Sequence, residues 1–479
     1  MLFTKHAWKV TGWELAFVAM NRKQPFRHSA LAQPLGLIAL ALGLLQGCSA
    51  PATPADELLI ASPHRDEIRE EIERAFCTWY SRETARDVRP IWLDLGGSSN
   101  IQKYLADRLA KGPSAGVDIF FGGGSDPFES LKRQGNLVAY KLPDPILSQV
   151  PAELHGVPIY DPDYTWYGVV LSSFGIMYNT EVLRRVGLPE PKTWEDLGAK
   201  EYWGGGSGWV GAADPRHSSS VHVIYENVLQ AYGWEKGFAV LARSAANARE
   251  FMRESAAVPR QVQIGDVACA PVIDLYAYSL IAREGRDRIG FVLPEGQTVI
   301  TPDAAAIVRG APNSTVAEAF MRFLLSNEGQ KVWLLRRGVV GGPTHYDLSR
   351  PSVLPHLYRL PAEQLAVTVN PFETRAALQY NGKVASRRWN VLNDLLGAVL
   401  IDSQTELQQA WAAALRVPDN DEFMEQLTRP PCGEVELLSL ADTMRQSPRE
   451  RNRTIAAWMS DARRRYRAVA EAASRRNSS

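Results

Sequence analysis

From Leu58 onward the chain repeats one unit three times: a short apolar run, a loop of small residues, then apolar residues at helical spacing. Leu58-Leu59-Ile60-Ala61 leads through Ser62-Pro63 to Ile68, Ile72, Ala75 and Trp79. Residues 88–95, with Ile91, Trp92, Leu93 and Leu95, lead through Gly96-Gly97-Ser98-Ser99 to Ile101, Leu105 and Leu109. Val117-Asp118-Ile119-Phe120-Phe121 runs into Gly122-Gly123-Gly124-Ser125-Asp126-Pro127, and a third helix opens near Phe128. Short apolar runs followed by a 3.6-residue period read as strand then helix. Such units predict an α/β fold with a mostly parallel, helix-covered sheet, which binds ligands outside the carboxyl ends of its strands. The Gly/Ser loops fall at those ends.

The pattern restarts after Trp166. Residues 169–171 and 175–178 are strand-like, and a helix over 181–186 is ended by Gly187 and Pro189. Val210-Gly211-Ala212 leads through Asp214-Pro215 to Ser218-Ser219-Ser220 and a helix carrying Val221, Ile224 and Val228. Residues 268–273 form a buried-strand candidate that enters Asp274-Leu275-Tyr276-Ala277-Tyr278. Residues 289–293 and 304–308 then return the chain to the first sheet. Two sheets joined by a double crossover predict two lobes facing a cleft, with residues 57–168 and 303–360 in lobe 1 and 169–302 in lobe 2. Residues 361–442 read as a helical region packed on the body. Residues 443–479 hold ten Arg against three acids and read as a solvated helix, with a membrane-surface or partner contact as the alternative.

The N-terminus reads as an address. Arg22, Lys23 and Arg27 precede an apolar run over residues 35–45, too short to span a bilayer, which takes about 20 helical residues. Leu45-Gln46-Gly47-Cys48 follows, so residues 1–47 are expected to be a signal peptide, with the true start at Met20 as an option. Leu-Gln-Gly-Cys is similar to a bacterial lipobox, which implies a lipid on Cys48 and a tether over 48–56; a plain secretory signal is the alternative. Outside the cytoplasm no ATP or reduced nicotinamide is at hand. Cys77, Cys269 and Cys432 allow at most one disulfide, and buried thiols are an equal expectation.

Charge gives no whole-chain field that points toward nucleic acid or an acidic surface, and no nucleic-acid partner is expected. The 53 basic and 53 acidic residues cancel, and residues 48–442 carry 38 basic against 49 acidic side chains. No Gly-x-Ser-x-Gly elbow, His-Glu-x-x-His, Cys-x-x-Cys or P-loop occurs, so no catalytic residue is assigned and a secreted hydrolase loses its usual nucleophiles and metals. What remains are Gly/Ser loops opening helices, whose free N–H groups and dipole suit anions. Gly97-Ser98-Ser99, Gly123-Gly124-Ser125 and Ser218-Ser219-Ser220 share that form, against the plainer reading that Ser merely caps helices. Asp274, Tyr276 and Tyr278 form a second cluster of hard oxygen donors, suited to a highly charged cation or to no ligand at all.

Several longer stretches give the chain a family resemblance. Ser62-Pro63-His64, the glycine run, residues 177–183 (Met-Tyr-Asn-Thr-Glu-Val-Leu), Gly187-Leu188-Pro189 and Thr193-Trp194-Glu195-Asp196-Leu197 resemble extracellular solute-binding proteins of ABC importers. Asp214-Pro215-Arg216, Tyr232-Gly233-Trp234, residues 326–330 and Gly342-Pro343 extend the likeness over residues 57–360. The ferric-iron-transport-like members are most similar. The resemblance implies the type II, two-lobed "Venus-flytrap" fold with a helical C-terminal extension, and no catalysis. Its implied ligand contacts are Ser62, His64, Ser98, Ser99, Ser125 and Ser218 to Ser220, with Gly97, Gly124, Ser173, Asp274 and Tyr276 completing the set. The ligand expected is ferric iron, held as cargo by Asp274, Tyr276 and His64. The adjacent tyrosines of ferric binders are absent, so a phosphonate, carboxylate or polyamine is the alternative, and a sensor or scaffold role a further one. Implied partners are a membrane permease and a separate cytoplasmic ATPase, with a monomeric receptor outside the cytoplasm.

Overall fold

The computed structural model describes residues 55–373 and 378–478. The expected signal peptide, residues 1–47, and the expected lipid site Cys48 lie outside them.

One strand organises everything else. Tyr167–Asn179 runs for 13 residues, twice the usual strand length, and is buried at all but one position. Burial on both faces is what a helix-covered sheet demands, and it explains why apolar residues fall on both faces of the strand. Its first half pairs antiparallel with Ile300–Ile307, from Ala305 opposite Tyr167 to Ile300 opposite Ser173. Its second half pairs with Cys269–Ile273, beginning at Phe174 opposite Ile273. The strand therefore changes partner between Ser173 and Phe174, and the two sheets meet there.

On one side the order is Val88–Leu93, Asp56–Ala61, Ile119–Gly124, Ile300–Ile307 and the long strand. The first three are parallel, as their βαβ connections require. On the other side Cys269–Ile273, Val210–Ala213 and Ala248–Met252 are parallel, while Ile289–Val292 pairs antiparallel with the far end of the long strand. Within these two sheets, antiparallel pairing is confined to the strands that carry the chain between halves and to that edge. The two strand-like stretches expected at 169–171 and 175–178 are thus one strand: Ser172, Ser173 and Gly175 interrupt the apolar run without breaking the ladder.

Helices sandwich both sheets. Lobe 1 is centred on Phe76, Phe121, Phe320 and Trp333, with Phe76 and Phe320 rings 4.9 Å apart, edge to face. Each such fully buried side chain contributes about 1.5–3 kcal/mol of transfer free energy. The lobe 2 core holds Trp194, Phe238 and Ile224, and continues without a break into Leu392, Leu395, Trp411 and Tyr466 of the C-terminal helices. The Arg-rich tail is the helix Pro448–Ser478. Arg451 pairs with Asp394, Arg467 with Glu406, and Arg463 reaches the Asp402 carbonyl, so several of its arginines fasten it to the body. Cys77, Cys269 and Cys432 are unpaired thiols.

The stretches that carry the family resemblance are mostly scaffold. Asn179 caps the helix Thr180–Val186 by accepting from the N–H groups of Glu181 and Val182, and its amide donates to the Val262 carbonyl. Thr193 and Asp196 form a capping box, and the Trp194 indole donates to the Gln297 carbonyl at 2.8 Å. Gln330, fully buried, donates to the carbonyls of Val169 and Leu324 and accepts from Ser352 and Val353.

Candidate ligand-binding site

The first three strand ends are drawn together by glycine. Gly122 and Gly123 have φ of +106° and +99°, a region L side chains rarely adopt. A Cβ on Gly122 would fall on the His64 ring, and one on Gly123 would come 2.7 Å from Ser98 Cβ. The bare backbone of the third strand end is therefore what lets His64 and Ser98 close in from the first and second. Gly97 and Gly124, the residues before the helices Ser98–Lys111 and Ser125–Arg133, have ordinary φ of −67° and −59°, and a methyl on either would meet nothing within 4 Å. They face open space.

Ser62 is buried and spends its hydroxyl locally: it accepts the His64 N–H at 3.1 Å and lies 3.0 Å from His64 Nδ1. Its carbonyl accepts from Arg69. The His64 ring packs 4.5 Å from Phe121 and 5.9 Å from Trp333. Burial pushes its pKa down to about 3, aided by Arg350 and Arg69 and opposed by Asp303, so the imidazole is neutral. Its Nε2 has no protein partner. Ser98 is buried, Ser99 exposed, and Gly124 and Ser125 half-buried.

Asp274 opens the helix Asp274–Glu284 and is fully buried. Its Oδ2 accepts from the N–H and the hydroxyl of Ser173, each at 2.8 Å, and its Oδ1 is unpartnered. Burial raises its pKa to about 6, against the pull of Arg350 and Ser173. Ser173 thus sits at the partner switch of the long strand and holds the first residue of a lobe 2 helix. Tyr276 is half-buried in that helix's first turn. Tyr278 faces the core against Phe291, and burial raises its phenol well above the usual range.

Ser218 to Ser220 stand at the start of the helix Ser219–Tyr232. Ser218 caps it, accepting from the Val221 N–H, and its hydroxyl is 3.0 Å from that of Ser220. The plain capping reading therefore holds for Ser218, while Ser219 and Ser220 stay half-exposed. No hydrogen bond among the described residues joins this trio to lobe 1. Burial pushes Asp126 of lobe 1 up to about 6, with Glu129 and, from lobe 2, Glu226 adding to the rise.

Sequence reasoning missed the ion pair between these groups. Arg350 pairs with Asp303 and donates to Ser172 Oγ at 2.5 Å, all three buried. Both charges act on His64 and on Asp274, and Arg350 Nε, Trp333 Nε1 and Ser349 Oγ are further buried atoms without a protein partner. The signal was present: Asp303 interrupts the apolar strand Ile300–Ile307, and Arg350 lies among Leu348, Val353 and Leu354. Charged residues in apolar surroundings are almost always paired. Among the described residues, no group of three or more His, Cys, Asp or Glu is placed to hold a metal ion.

Comparison with known proteins places this geometry. Residues 114–349 match the family model "Bacterial extracellular solute-binding protein". That span, close to half of the chain, is what makes the chain similar to the extracellular solute-binding proteins of ABC importers. Among curated proteins it is 25% identical over 285 residues to the phosphoglycerate transport regulatory protein PgtC of Salmonella typhimurium, covering 55% of this chain and 68% of that one. In fold it matches the periplasmic binding protein AfuA of Actinobacillus pleuropneumoniae, solved with fructose-6-phosphate, at TM-score 0.52, 19% identity, 70% of this chain and 98% of that one. Iron-bound HitA of Pseudomonas aeruginosa gives TM-score 0.52, 18% identity, 70% and 99%. The two-lobed type II fold expected from sequence is therefore found. Solute-binding proteins of this family work outside the cytoplasm and deliver a small ligand to a permease. No described helix is long and apolar enough to cross a membrane.

Proposed function

We propose that this solute-binding protein captures a small phosphorylated or otherwise anionic solute between its lobes, releases it to the permease unchanged, and is tethered by a lipid on Cys48. The observation that carries this reading is the convergence built by Gly122 and Gly123, which gathers three strand ends of lobe 1 and leaves Gly97 and Gly124 open before two helix starts. Helix starts with bare backbone N–H groups receive anions, because dipole and unpaired donors act together. The names of PgtC and of the AfuA complex, a phosphoglycerate and a sugar phosphate, agree in chemistry.

Ferric iron, the sequence expectation, is the second reading. Favouring it, neutral His64 and Asp274 each keep one atom without a partner. Against it, Asp274 Oδ2 is occupied twice by Ser173. Native mass spectrometry of protein from its own host decides between them, followed by titration with D-3-phosphoglycerate, inorganic phosphate and ferric citrate. Anion-dependent quenching of tryptophan fluorescence supports the proposal. A coloured, iron-loaded protein bleached by Tyr276→Phe overturns it in favour of iron. Turnover of any titrant would overturn the non-catalytic part.

A further inference from the structure

The C-terminal helices do more than cover lobe 2. They reach its candidate ligand loop and the helix start that follows, residues 214–222, at three points. Arg216 is gripped from both sides: its Nε lies 2.9 and 3.0 Å from the two Asp214 oxygens, and its Nη1 and Nη2 each donate to Asp402 at 2.8 Å. Asn393 donates to the Pro215 carbonyl at 3.1 Å, and its Oδ1 lies 2.7 Å from His222 Nδ1. Since an amide oxygen only accepts, that contact puts the ring proton on Nδ1. Trp389 stacks on the same imidazole, with ring centres 3.6 Å apart at 27°. His222 is fully buried one turn into the helix that Ser218 caps. Gly397 permits the approach: a methyl there would come 2.7 Å from the Arg216 guanidinium.

We propose that the C-terminal helices are a splint for the second-lobe ligand loop, in which Asp402, Asn393 and Trp389 are positioning residues that hold Arg216, Pro215 and His222, and through them Ser218 to Ser220, in the conformation that meets the solute. The inference rests on the reading that those serines face an anionic ligand. The physical reason is preorganisation. A short polar loop that orders only on binding loses affinity to its own entropy, whereas a loop already clamped by a bidentate Arg–carboxylate pair and an aromatic stack does not.

The test uses the full chain with Asp402→Asn, Asn393→Ala and, as rescue, Asp402→Glu. Glu406→Gln is the control, since it breaks a pair with Arg467 on the same extension. Hydrogen exchange of residues 216–222 is read without ligand, and D-3-phosphoglycerate and inorganic phosphate are titrated separately. Asp402→Asn and Asn393→Ala should speed exchange of those amides about tenfold or more, the usual effect of losing a charge-assisted or buried hydrogen bond. Val210–Ala213 and Cys269–Ile273 should stay protected, Asp402→Glu should recover the loop, and Glu406→Gln should leave it unchanged. The apparent Kd for whichever probe the wild type binds should rise by a similar factor. Unchanged loop protection, or protection lost evenly through lobe 2, overturns the splint. A wild type that binds neither probe removes the anion reading, while the exchange result still decides the splint.

Discussion

Four glycines at two strand ends separate packing from binding. At Gly122 a methyl meets two costs. The residue sits at φ +106°, where a non-glycine residue costs about 1–3 kcal/mol, and the His64 ring occupies the methyl's place. That ring cannot swing aside, because Phe121 and Trp333 pack against it and Ser62 holds Nδ1. Forcing it out adds an overpacking cost of about 1–3 kcal/mol. Gly122→Ala should therefore lose about 2–6 kcal/mol, or about 4–12 °C in Tm at roughly 2 °C per kcal/mol for a large chain. Gly123→Ala, at φ +99° against Ser98, should behave alike. Gly97→Ala and Gly124→Ala meet neither cost. At φ of −67° and −59° they should hold or gain stability by up to about 1 kcal/mol. Their methyls occupy the open space over the helix starts, so the co-purifying solute should be lost. Differential scanning fluorimetry reads the first effect and native mass spectrometry the second. If Gly122→Ala melts with wild type, the packing argument is wrong. If Gly97→Ala and Gly124→Ala both keep full occupancy, the solute does not sit over these loops.

Three further outcomes follow from the same geometry. Glu226 and Arg388 form a buried pair on lobe 2 and the extension, so Arg388→Met strands a fully buried carboxylate and should cost about 3–5 kcal/mol in urea melts, which Glu226→Leu in the same chain should largely restore; equal stability of the single variant refutes it. Within one serine trio, Ser218→Ala should lose a cap worth about 1 kcal/mol, whereas Ser219→Ala should keep its Tm and weaken anion binding; the reverse order would return the trio to a structural role. In pH, raised Asp274 and Asp126 bind protons in the folded state that the unfolded chain gives up near pH 4, so their contribution falls as pH rises from about 4 to about 6. Lowered His64 and His222 act oppositely, contributing stability that grows from about pH 4 to 6.5. Wild-type Tm should thus be nearly flat over pH 4–6, with Asp274→Asn tilting it upward with pH and His64→Gln downward, by at most about 1.4 kcal/mol per unit; identical profiles for all three refute the assignment.

Local pattern carried most of the fold. The strand-to-helix alternation from Leu58, the caps at Asn179 and Ser218, and the glycine run all act within a few residues, where periodicity and turn chemistry are visible. The pairings that build the site do not. Arg350 meets Asp303 across 47 positions, Asn393 meets His222 across 171, and Asp402 meets Arg216 across 186. No local rule joins residues that far apart, and in Asp303 only the mismatch of a charge inside an apolar strand betrayed a partner. Asn179, Thr193 and Trp194 show the other side of this. They gave the family resemblance because caps and buried indoles fix a scaffold, and that scaffold fits several ligand chemistries.

The same strand that defines the fold also ties the candidate site to the point where the two sheets meet. Ser173 is the last residue of the long strand to pair with lobe 1, and Phe174 the first to pair with lobe 2. Asp274, at the start of a lobe 2 helix, is tied to Ser173 by two hydrogen bonds, while Arg350 of lobe 1 grips Ser172 and Asp303 one step away. A rotation between lobes about this point would change the distance between two buried carboxylates and one buried guanidinium. Shifting an open-to-closed ratio from 1:99 to 99:1 takes about 5.5 kcal/mol of differential affinity. A solute acting only on exposed serines would have to supply all of it through a few hydrogen bonds, whereas one that also moves Asp274 draws on a buried charge cluster already set at the pivot.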